Sequence, residues 1–271
     1  MQGAGAAGDF QEPTMTPRMP ADVLLCADDF AFNAACSQAI IELAAASRIQ
    51  ATSAMVLSPR WAHDAPRLRA AQGTTSVGLH LDWTSDFARA EGHGLPLGQA
   101  MLRAAWGGFS GAGTRRVIAR QLDLFEKHWG GPPDHIDGHQ HVHQFAGIRD
   151  ALLAEITGRY PQHRPWLRIS NPTAQCQGIK PMLIRAQGAS ALKALSEQLS
   201  VPCMPFLSGI YDFQGGELHY RELLAQWQRE ARAGTVIMCH PATAAEPGDS
   251  IGAARVWEYA VLRAETPAVR A

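Results

Sequence analysis

Short apolar runs, each ending in polar residues and followed by a helical pattern, recur along almost the whole chain. Examples start at Val23, Ser76 and Thr235. Apolar runs of four to eight residues are typical of buried strands, and strands that alternate with helices pair in parallel through right-handed crossovers. The alternation therefore predicts an α/β fold built on a parallel sheet.

The boundaries follow from the periodicity and from glycine and proline signals. We predict strands near 23–27, 52–57, 76–81, 135–137, 166–170, 202–206 and 235–239. We predict helices near 34–47, 61–71, 114–128, 147–160, 179–199, 217–233 and 251–263. The segment 82–113 is rich in glycine and lacks a sustained period, which predicts a long functional loop.

Polar residues follow the carboxyl ends of several different predicted strands. They are Asp28 and Asp29, His80, the cluster 137–143 and His240. In a (β/α) barrel these ends share one rim, where catalytic residues collect. The first strand is not followed by a glycine-rich dinucleotide-binding turn, which argues against a doubly wound sheet. We therefore expect a distorted or incomplete (β/α) TIM-like barrel in a single domain.

Bulk properties narrow the class of protein further. The chain has 271 residues, 46% of them hydrophobic, which suits one large domain at 21–271 after a flexible leader at 1–20. The net charge of -1 argues against nucleic acid as a partner. Five cysteines without a CxxC pattern suit buried thiols in a reducing compartment. No apolar run is long enough to span a bilayer, and we expect a cytoplasmic protein.

The segment 134–143 is the densest in groups that exchange protons or bind metal. Asp137, His139, His141 and His143 recur at every second position. If the segment is extended, this spacing places them on one side together with His135, which we interpret as structural.

Hydrolysis by a bound cation needs about three protein ligands and an open position for water. Asp29, His80 and His139 would supply them from three strand ends. Taken singly, such an Asp is more often a capping residue and such a His more often a satisfied polar group. Their coincidence on one rim favours a site for one divalent ion, Mg²⁺ or Zn²⁺.

Other polar residues of the rim have candidate roles beside such an ion. Asp28 can accept a proton from the attacking water, although two solvated turn carboxylates would look the same in sequence. His240 can donate a proton or stabilise an oxyanion, although a single histidine at such a position is more often structural. Asp137, His141 and His143 can contact substrate or support the ligands through hydrogen bonds.

Four stretches resemble, in order and spacing, the motifs of the YdjC-like carbohydrate deacetylases. They are Ala27-Asp28-Asp29-Phe30, Val77-Gly78-Leu79-His80-Leu81, His135-Ile136-Asp137-Gly138-His139-Gln140-His141-Val142-His143 and Met238-Cys239-His240-Pro241-Ala242. The resemblance covers about 23–265 and implies a distorted TIM-like barrel, often a homodimer, that uses a divalent metal to remove the N-acetyl group from an amino sugar.

The resemblance also implies roles for individual residues. Asp29, His80 and His139 would be the metal ligands, Asp28 the base, and His240 the proton donor or oxyanion partner. Arg168 looks like the family's arginine on the rim, where it would orient the sugar or the base. The sequence departs from the family at two positions, where Ala31 replaces a usual glycine and Gly138 a usual serine or alanine.

The expected partner is an N-acetylated carbohydrate, attacked at its acetamide carbonyl by metal-activated water. Trp83, Trp106 and Phe109 are candidates to stack on a sugar ring, and apolar packing is the equal alternative for each. Two other functions stay open, a metal-dependent hydrolase of esters or phosphates and a barrel that binds metal or sugar without turnover.

Overall fold

The computed structural model describes residues 23–173 and 179–264, in which parallel strands form a nearly closed barrel. The strands are β1 (Leu24–Phe30), β2 (Ala51–Ala54), β3 (Ser76–Leu81), β4 (His135–Gly138), β5 (Trp166–Arg168), β6 (Cys203–Met204), β7 (Phe206–Ser208) and β8 (Thr235–Cys239). Their order in the sheet is β6-β5-β4-β3-β2-β1-β8-β7, and each neighbouring pair is parallel. The predicted TIM-like barrel is confirmed.

Helices connect the successive strands, except β6 and β7, and cover the outside of the barrel. They are α1 (Ala34–Ala45), α2 (Trp61–Ala71), α3 (Asp86–Ala90), α4 (Leu97–Ala105), α5 (Ala112–Trp129), α6 (Ile148–Arg159), α7 (Ile179–Ala186), α8 (Ala189–Gln198), α9 (Gly216–Glu230) and α10 (Gly252–Ala264). The helix boundaries have local causes. The Asn33 side chain accepts a hydrogen bond from the Cys36 amide and starts α1, and Gly130, at φ 82°, ends α5 in the left-handed conformation.

The barrel is distorted where the two ends of the strand order meet. β6 and β7 follow each other directly in the chain, and the segment after β5 closes the gap between them. The Leu207 amide donates to the Asn171 carbonyl at 3.0 Å, and the Thr173 amide donates to the Leu207 carbonyl at 3.1 Å. On this side of β5, the strand itself pairs with β6 and its extension pairs with β7, which keeps the barrel almost continuous.

A buried aromatic group fixes two helices against the sheet. Trp61 of α2 meets Phe30 of β1 edge to face at 6.2 Å and stacks on Phe125 of α5 at 5.4 Å. The Trp61 indole N–H also donates to the Leu124 carbonyl at 2.9 Å, which satisfies the polar atom of a buried side chain. This packing holds Phe30, the last residue of the chain's first motif, from outside the barrel.

Two sequence predictions were wrong in detail. The segment 82–113 contains the helices α3 and α4, because the Ser85 side chain accepts from the amides of Phe87 and Ala88 and starts a helix there. The His-rich segment is not extended beyond Gly138. β3 ends at Leu81, opposite Gly138, so the following backbone has no ladder partner and folds into a 3₁₀ helix, His139–Gln144.

Some predictions fall on residues that the structure does not describe. The leader at 1–20, Cys176 and the ends of the predicted domain 21–271 lie outside the described residues, so the domain limits stay a prediction. Within the described ranges, every helix is too short or too polar to cross a bilayer.

Candidate active site

Three predicted ligands meet at the carboxyl end of the barrel. Asp29 lies at the end of β1, His80 in β3, and His139 directly after β4. Asp29 Oδ1 lies 3.4 Å from His80 Nε2 and 3.2 Å from His139 Nδ1. These three donor atoms all lie within 4.8 Å of one another, so one cation could contact them all. One carboxylate and two imidazoles form a donor set that suits zinc in hydrolases.

An irregularity in β1 brings Asp29 to the site. Adjacent residues of a regular strand point to opposite faces, yet both Asp28 and Asp29 take part in this cluster. The register between β1 and β2 shifts between Ala27 and Phe30, as in a β-bulge. Asp29 has φ 66° and Ala31 φ 69°, which are left-handed conformations that cost about 1 kcal/mol or more for a non-glycine residue. The family's usual glycine at position 31 would avoid that strain.

Asp137 orients the His80 ring. Its Oδ1 lies 2.6 Å from His80 Nδ1, so this nitrogen donates to the carboxylate and Nε2 points toward Asp29. Burial by itself would lower the pKa of His80, but the charge of Asp137 and hydrogen bonds to Asp137 and Asp29 outweigh it and raise the pKa to about 10. Burial opposes ionisation of Asp137 as well, but Arg168 and His80 hold its pKa below the usual range.

Arg168 fixes the predicted base, Asp28. Its guanidinium donates to both oxygens of Asp28, at 2.7 and 2.8 Å, and lies 3.1 Å from Asp137 Oδ2. Arg168 and Asp137 are fully buried. Of the two alternatives for Arg168, the structure favours orientation of the base over contact with a sugar.

His240 follows β8 and faces the same cluster. Its Nε2 lies 4.0 Å from Asp28 Oδ2, and its side chain keeps 14% exposure. Burial is the main cause that lowers the pKa of His240 to about 4 despite the nearby carboxylates Asp28 and Asp29. The imidazole is therefore neutral near pH 7 and has one N–H to donate.

The remaining histidines of the His-rich segment have separate surroundings. His143 is fully buried and donates from Nε2 to the Arg168 carbonyl at 2.7 Å. A Cβ at Gly138 would lie 2.9 Å from His143 Nδ1, which explains why this chain has glycine there. His141 is partly exposed and its Nδ1 lies 2.9 Å from Ser170 Oγ. His135 stacks on Trp166 at 4.3 Å inside the barrel, as expected for a structural residue.

The three aromatic candidates for sugar stacking differ in exposure. Trp83 and Phe109 are 2% and 1% exposed and pack against each other with ring centroids 6.0 Å apart. Trp106, directly after α4, is 83% exposed. The apolar packing alternative therefore describes Trp83 and Phe109, and Trp106 remains available for a ligand.

Sequence reasoning missed two charged residues of α10. Arg255 Nη2 lies 2.7 Å from Asp29 Oδ2. Glu258 accepts hydrogen bonds from the His240 amide and, at 2.8 Å, from the Tyr211 hydroxyl. The sequence did hold a signal for their burial. Arg255 and Glu258 are a charged pair at i and i+3 in the same helix as the buried apolar residues Ala254 and Val261.

Known proteins resemble this chain over most of its length. A curated relative, the chitooligosaccharide deacetylase of Serratia marcescens, is 27% identical over 236 residues, which cover 81% of each chain. A crystal structure of a proposed cellobiose-phosphate cleavage protein from Enterococcus faecalis V583 superposes with a TM-score of 0.61 at 21% identity and covers 89% of both chains. That structural likeness supports the fold.

The family comparison covers all the described residues. The sequence model of the YdjC-like proteins matches residues 22–269, which include every predicted site residue. This agrees with the resemblance found in the four motifs. The chain belongs to the YdjC-like protein family.

Proposed function

We propose that the protein is a metal-dependent hydrolase that removes the N-acetyl group from an amino sugar or an N-acetylated oligosaccharide. The observation that carries the proposal is the convergence of Asp29, His80 and His139 beside a fixed carboxylate, Asp28. The named activity of the Serratia marcescens relative supports the substrate class.

The residues present fit a divalent metal. Asp137 orients His80 so that Nε2 can serve as a ligand, which is the usual arrangement of a carboxylate behind a metal-binding histidine. When bound, Zn²⁺ or Mg²⁺ would lower the pKa of a water molecule and polarise the acetamide carbonyl. The chain would hold the ion through Asp29, His80 and His139.

Asp28 is the base in this proposal. Arg168 donates to both of its oxygens, and Ser53 Oγ and Cys26 Sγ also donate to Oδ1, at 3.4 and 3.6 Å. Oδ2 is therefore the oxygen that keeps a lone pair to accept the proton of the attacking water. The buried guanidinium holds the carboxylate in one orientation, which proximity catalysis requires. Because Asp28 is not itself one of the three ligands, it can accept a proton while Asp29 stays bound.

His240 acts on the other side of the reaction. Its neutral ring can donate its N–H to the carbonyl oxygen as charge develops there. His240 Nε2 lies 4.0 Å from Asp28 Oδ2, so the proton taken by Asp28 would pass through one water molecule to His240 and from there to the amine nitrogen as the C–N bond breaks. The products are acetate and a free amino sugar.

The proposal also distinguishes this chemistry from phosphate hydrolysis. A phosphate site needs guanidinium or ammonium groups that face the substrate. Arg168 and Arg255 are both committed to carboxylates of the cluster. We therefore favour an acetamide over a phosphate ester. His141 and Trp106, which keep exposed surface, are the groups that we propose face the sugar.

The substitution Asp28→Asn tests the assignment of the base. We expect the variant to keep its metal content and to lose acetate release from N-acetylated chitooligosaccharides by about 10²-fold or more. Asp86→Asn, at an exposed carboxylate in α3, is the matched control and should remain active. An Asp28→Asn enzyme with wild-type turnover would contradict the role of Asp28.

The reaction class needs its own measurement. The chelated protein should be given back one metal at a time and assayed on N-acetylated sugars, acetyl esters and sugar phosphates. Acetate release from the N-acetylated sugars alone would support the proposal. Turnover of only the esters or phosphates would identify another hydrolase, and binding without turnover would identify a non-catalytic barrel. A metal-bound structure with His141 in place of His139 would overturn the ligand set.

A further inference from the structure

Arg255 connects α10 to both sides of the candidate site. Its Nη2 donates to Asp29 Oδ2 at 2.7 Å, and its Nη1 lies 3.5 Å from the carbonyl of His240. Its Nε donates to Asp249 Oδ2 at 2.7 Å. The guanidinium also lies over the Phe32 ring, 5.2 Å from its centroid. One side chain thus contacts Asp29, a predicted metal ligand, and the backbone of His240, the predicted proton donor.

The burial of this residue has an energetic cost that packing alone does not explain. Arg255 is 3% exposed and Glu258, one turn further along α10, is fully buried. Taking an ion out of water costs several kcal/mol, and apolar residues of similar volume often serve stability better. A buried arginine and a buried carboxyl group on one helix face, each bonded to a residue of the site, point to a role in the site.

The two oxygens of Asp29 have different partners. Oδ1 faces His80 at 3.4 Å and His139 at 3.2 Å, whereas Oδ2 accepts from Arg255. A carboxylate without such a partner can rotate or offer both oxygens to one cation. Because Arg255 bonds Oδ2 and both histidines face Oδ1, Oδ1 is the oxygen that is presented to the cluster.

We propose that Arg255 is a positioning residue that limits Asp29 to one-oxygen ligation and fixes the His240 backbone relative to that ligand. Asp249 holds the guanidinium from its far side, so the orientation of Arg255 is set from outside the cluster. Glu258 complements it by accepting the His240 amide. The inference rests on the proposed metal site and assigns α10 the task of keeping ligand and proton donor at a fixed separation.

The test measures Co²⁺ binding directly, without turnover. Arg255→Gln should weaken the affinity for Co²⁺ by about 10- to 100-fold, the usual effect of losing an outer partner of a ligand. It should also change the visible d–d absorption spectrum, because Asp29 becomes free to offer two oxygens and the coordination geometry changes. Arg255→Lys keeps the charge without the planar fork and should recover part of the affinity.

Controls separate this effect from general loss of structure. Arg159→Gln removes an arginine that pairs with Glu126 and Asp123 away from the site, and should leave the Co²⁺ affinity and spectrum unchanged. If Arg255→Gln does not fold, Asp249→Asn decides the question. It loosens Arg255 without touching Asp29, and we expect a smaller shift of affinity and spectrum in the same direction.

The outcomes distinguish the inference from the proposed function. A folded Arg255→Gln protein with wild-type Co²⁺ affinity and spectrum would overturn the role of Arg255 alone, as would unchanged binding by Asp249→Asn where Arg255→Gln does not fold. A wild-type protein that binds no Co²⁺ would overturn both proposals. A wild-type protein that binds Co²⁺ but releases no acetate would refute the deacetylase, and the spectra would still decide whether Arg255 positions Asp29.

Discussion

Arg168 balances two buried carboxylates, and its removal is the most informative test of the electrostatics of the site. Its guanidinium lies 2.7 Å from Asp28 and 3.1 Å from Asp137, and the arginine is fully buried. Removing one partner of a buried ion pair costs about 3 to 5 kcal/mol, because the other charge stays behind without compensation. We expect Arg168→Met to lower the free energy of unfolding by that amount at pH 8.

The pH dependence of this loss has a predictable sign. In the wild type, the pKa of Asp137 is held low, so its ionised form stabilises the fold above pH 4 and this contribution is lost as the pH falls. In Arg168→Met the part of that stabilisation that comes from Arg168 is absent while the part from His80 remains, and one of the two carboxylates left behind takes up a proton more readily. The difference between wild type and variant should therefore be smaller at pH 5 than at pH 8.

The assay is urea unfolding of the metal-free proteins at pH 5 and pH 8. Arg168→Lys keeps the charge but cannot bond both oxygens of Asp28, so its loss should be smaller than that of Arg168→Met. Arg159→Met is the control, because Arg159 is partly exposed and its pairs should contribute about 1 kcal/mol or less. Equal losses for Arg168→Met and Arg159→Met, or a loss that grows toward pH 5, would refute the reasoning.

Three further substitutions or measurements test the strain, the buried charge and the protonation of the site. Ala31→Gly should cost about 1 kcal/mol less in unfolding free energy than Ala54→Gly, because only Ala31 has a positive φ; equal costs in urea unfolding would contradict this. Burial raises the pKa of Glu258 to about 7, so the folded state holds a proton that the unfolded state loses above pH 4.5, and stability falls as the pH rises from 4.5 to 7. Glu258→Gln should remove this decline, which amounts to about 3 kcal/mol of unfolding free energy. A variant with the same pH profile of stability as the wild type would contradict the raised pKa of Glu258. His80 has a pKa of about 10 without metal, so Zn²⁺ binding at pH 7.5 should release about one proton, measurable by calorimetry in buffers of different ionisation enthalpy; no release would contradict the ligand role.

The barrel could be predicted because its evidence is local. β3 and β8 have the predicted bounds, since each is a short apolar run between clear turn signals. The segment 82–113 was harder, because α3 and α4 are short and depend on caps such as Ser85 and on contacts from distant parts of the chain. The distorted closure of the barrel between β6 and β7 could not be predicted, because it depends on pairing of β7 with the segment after β5.

The convergence of the candidate ligands could be predicted from sequence, whereas their partners could not. Asp29, His80 and His139 follow different strands, and a barrel brings such residues to one rim. The spacing of the His-rich segment suggested one shared face, but the chain turns at Gln140 and His141, both with positive φ. Residues at every second position share one face only where a neighbouring strand pairs with the segment and keeps it extended.

The partners matter because they decide which atom of each predicted residue is available. Arg168 fixes Asp28 with Oδ2 open to a proton, Asp137 turns Nε2 of His80 toward the cluster, and Arg255 leaves Oδ1 of Asp29 to face the two histidines. These contacts join residues separated by 57 to 226 positions, so they have no local sequence pattern. A motif can thus identify the ligand, but the atom that would bind the metal is determined by residues from β4, β5 and α10. Conservative changes at those supporting positions should alter metal affinity even when all three ligands are intact.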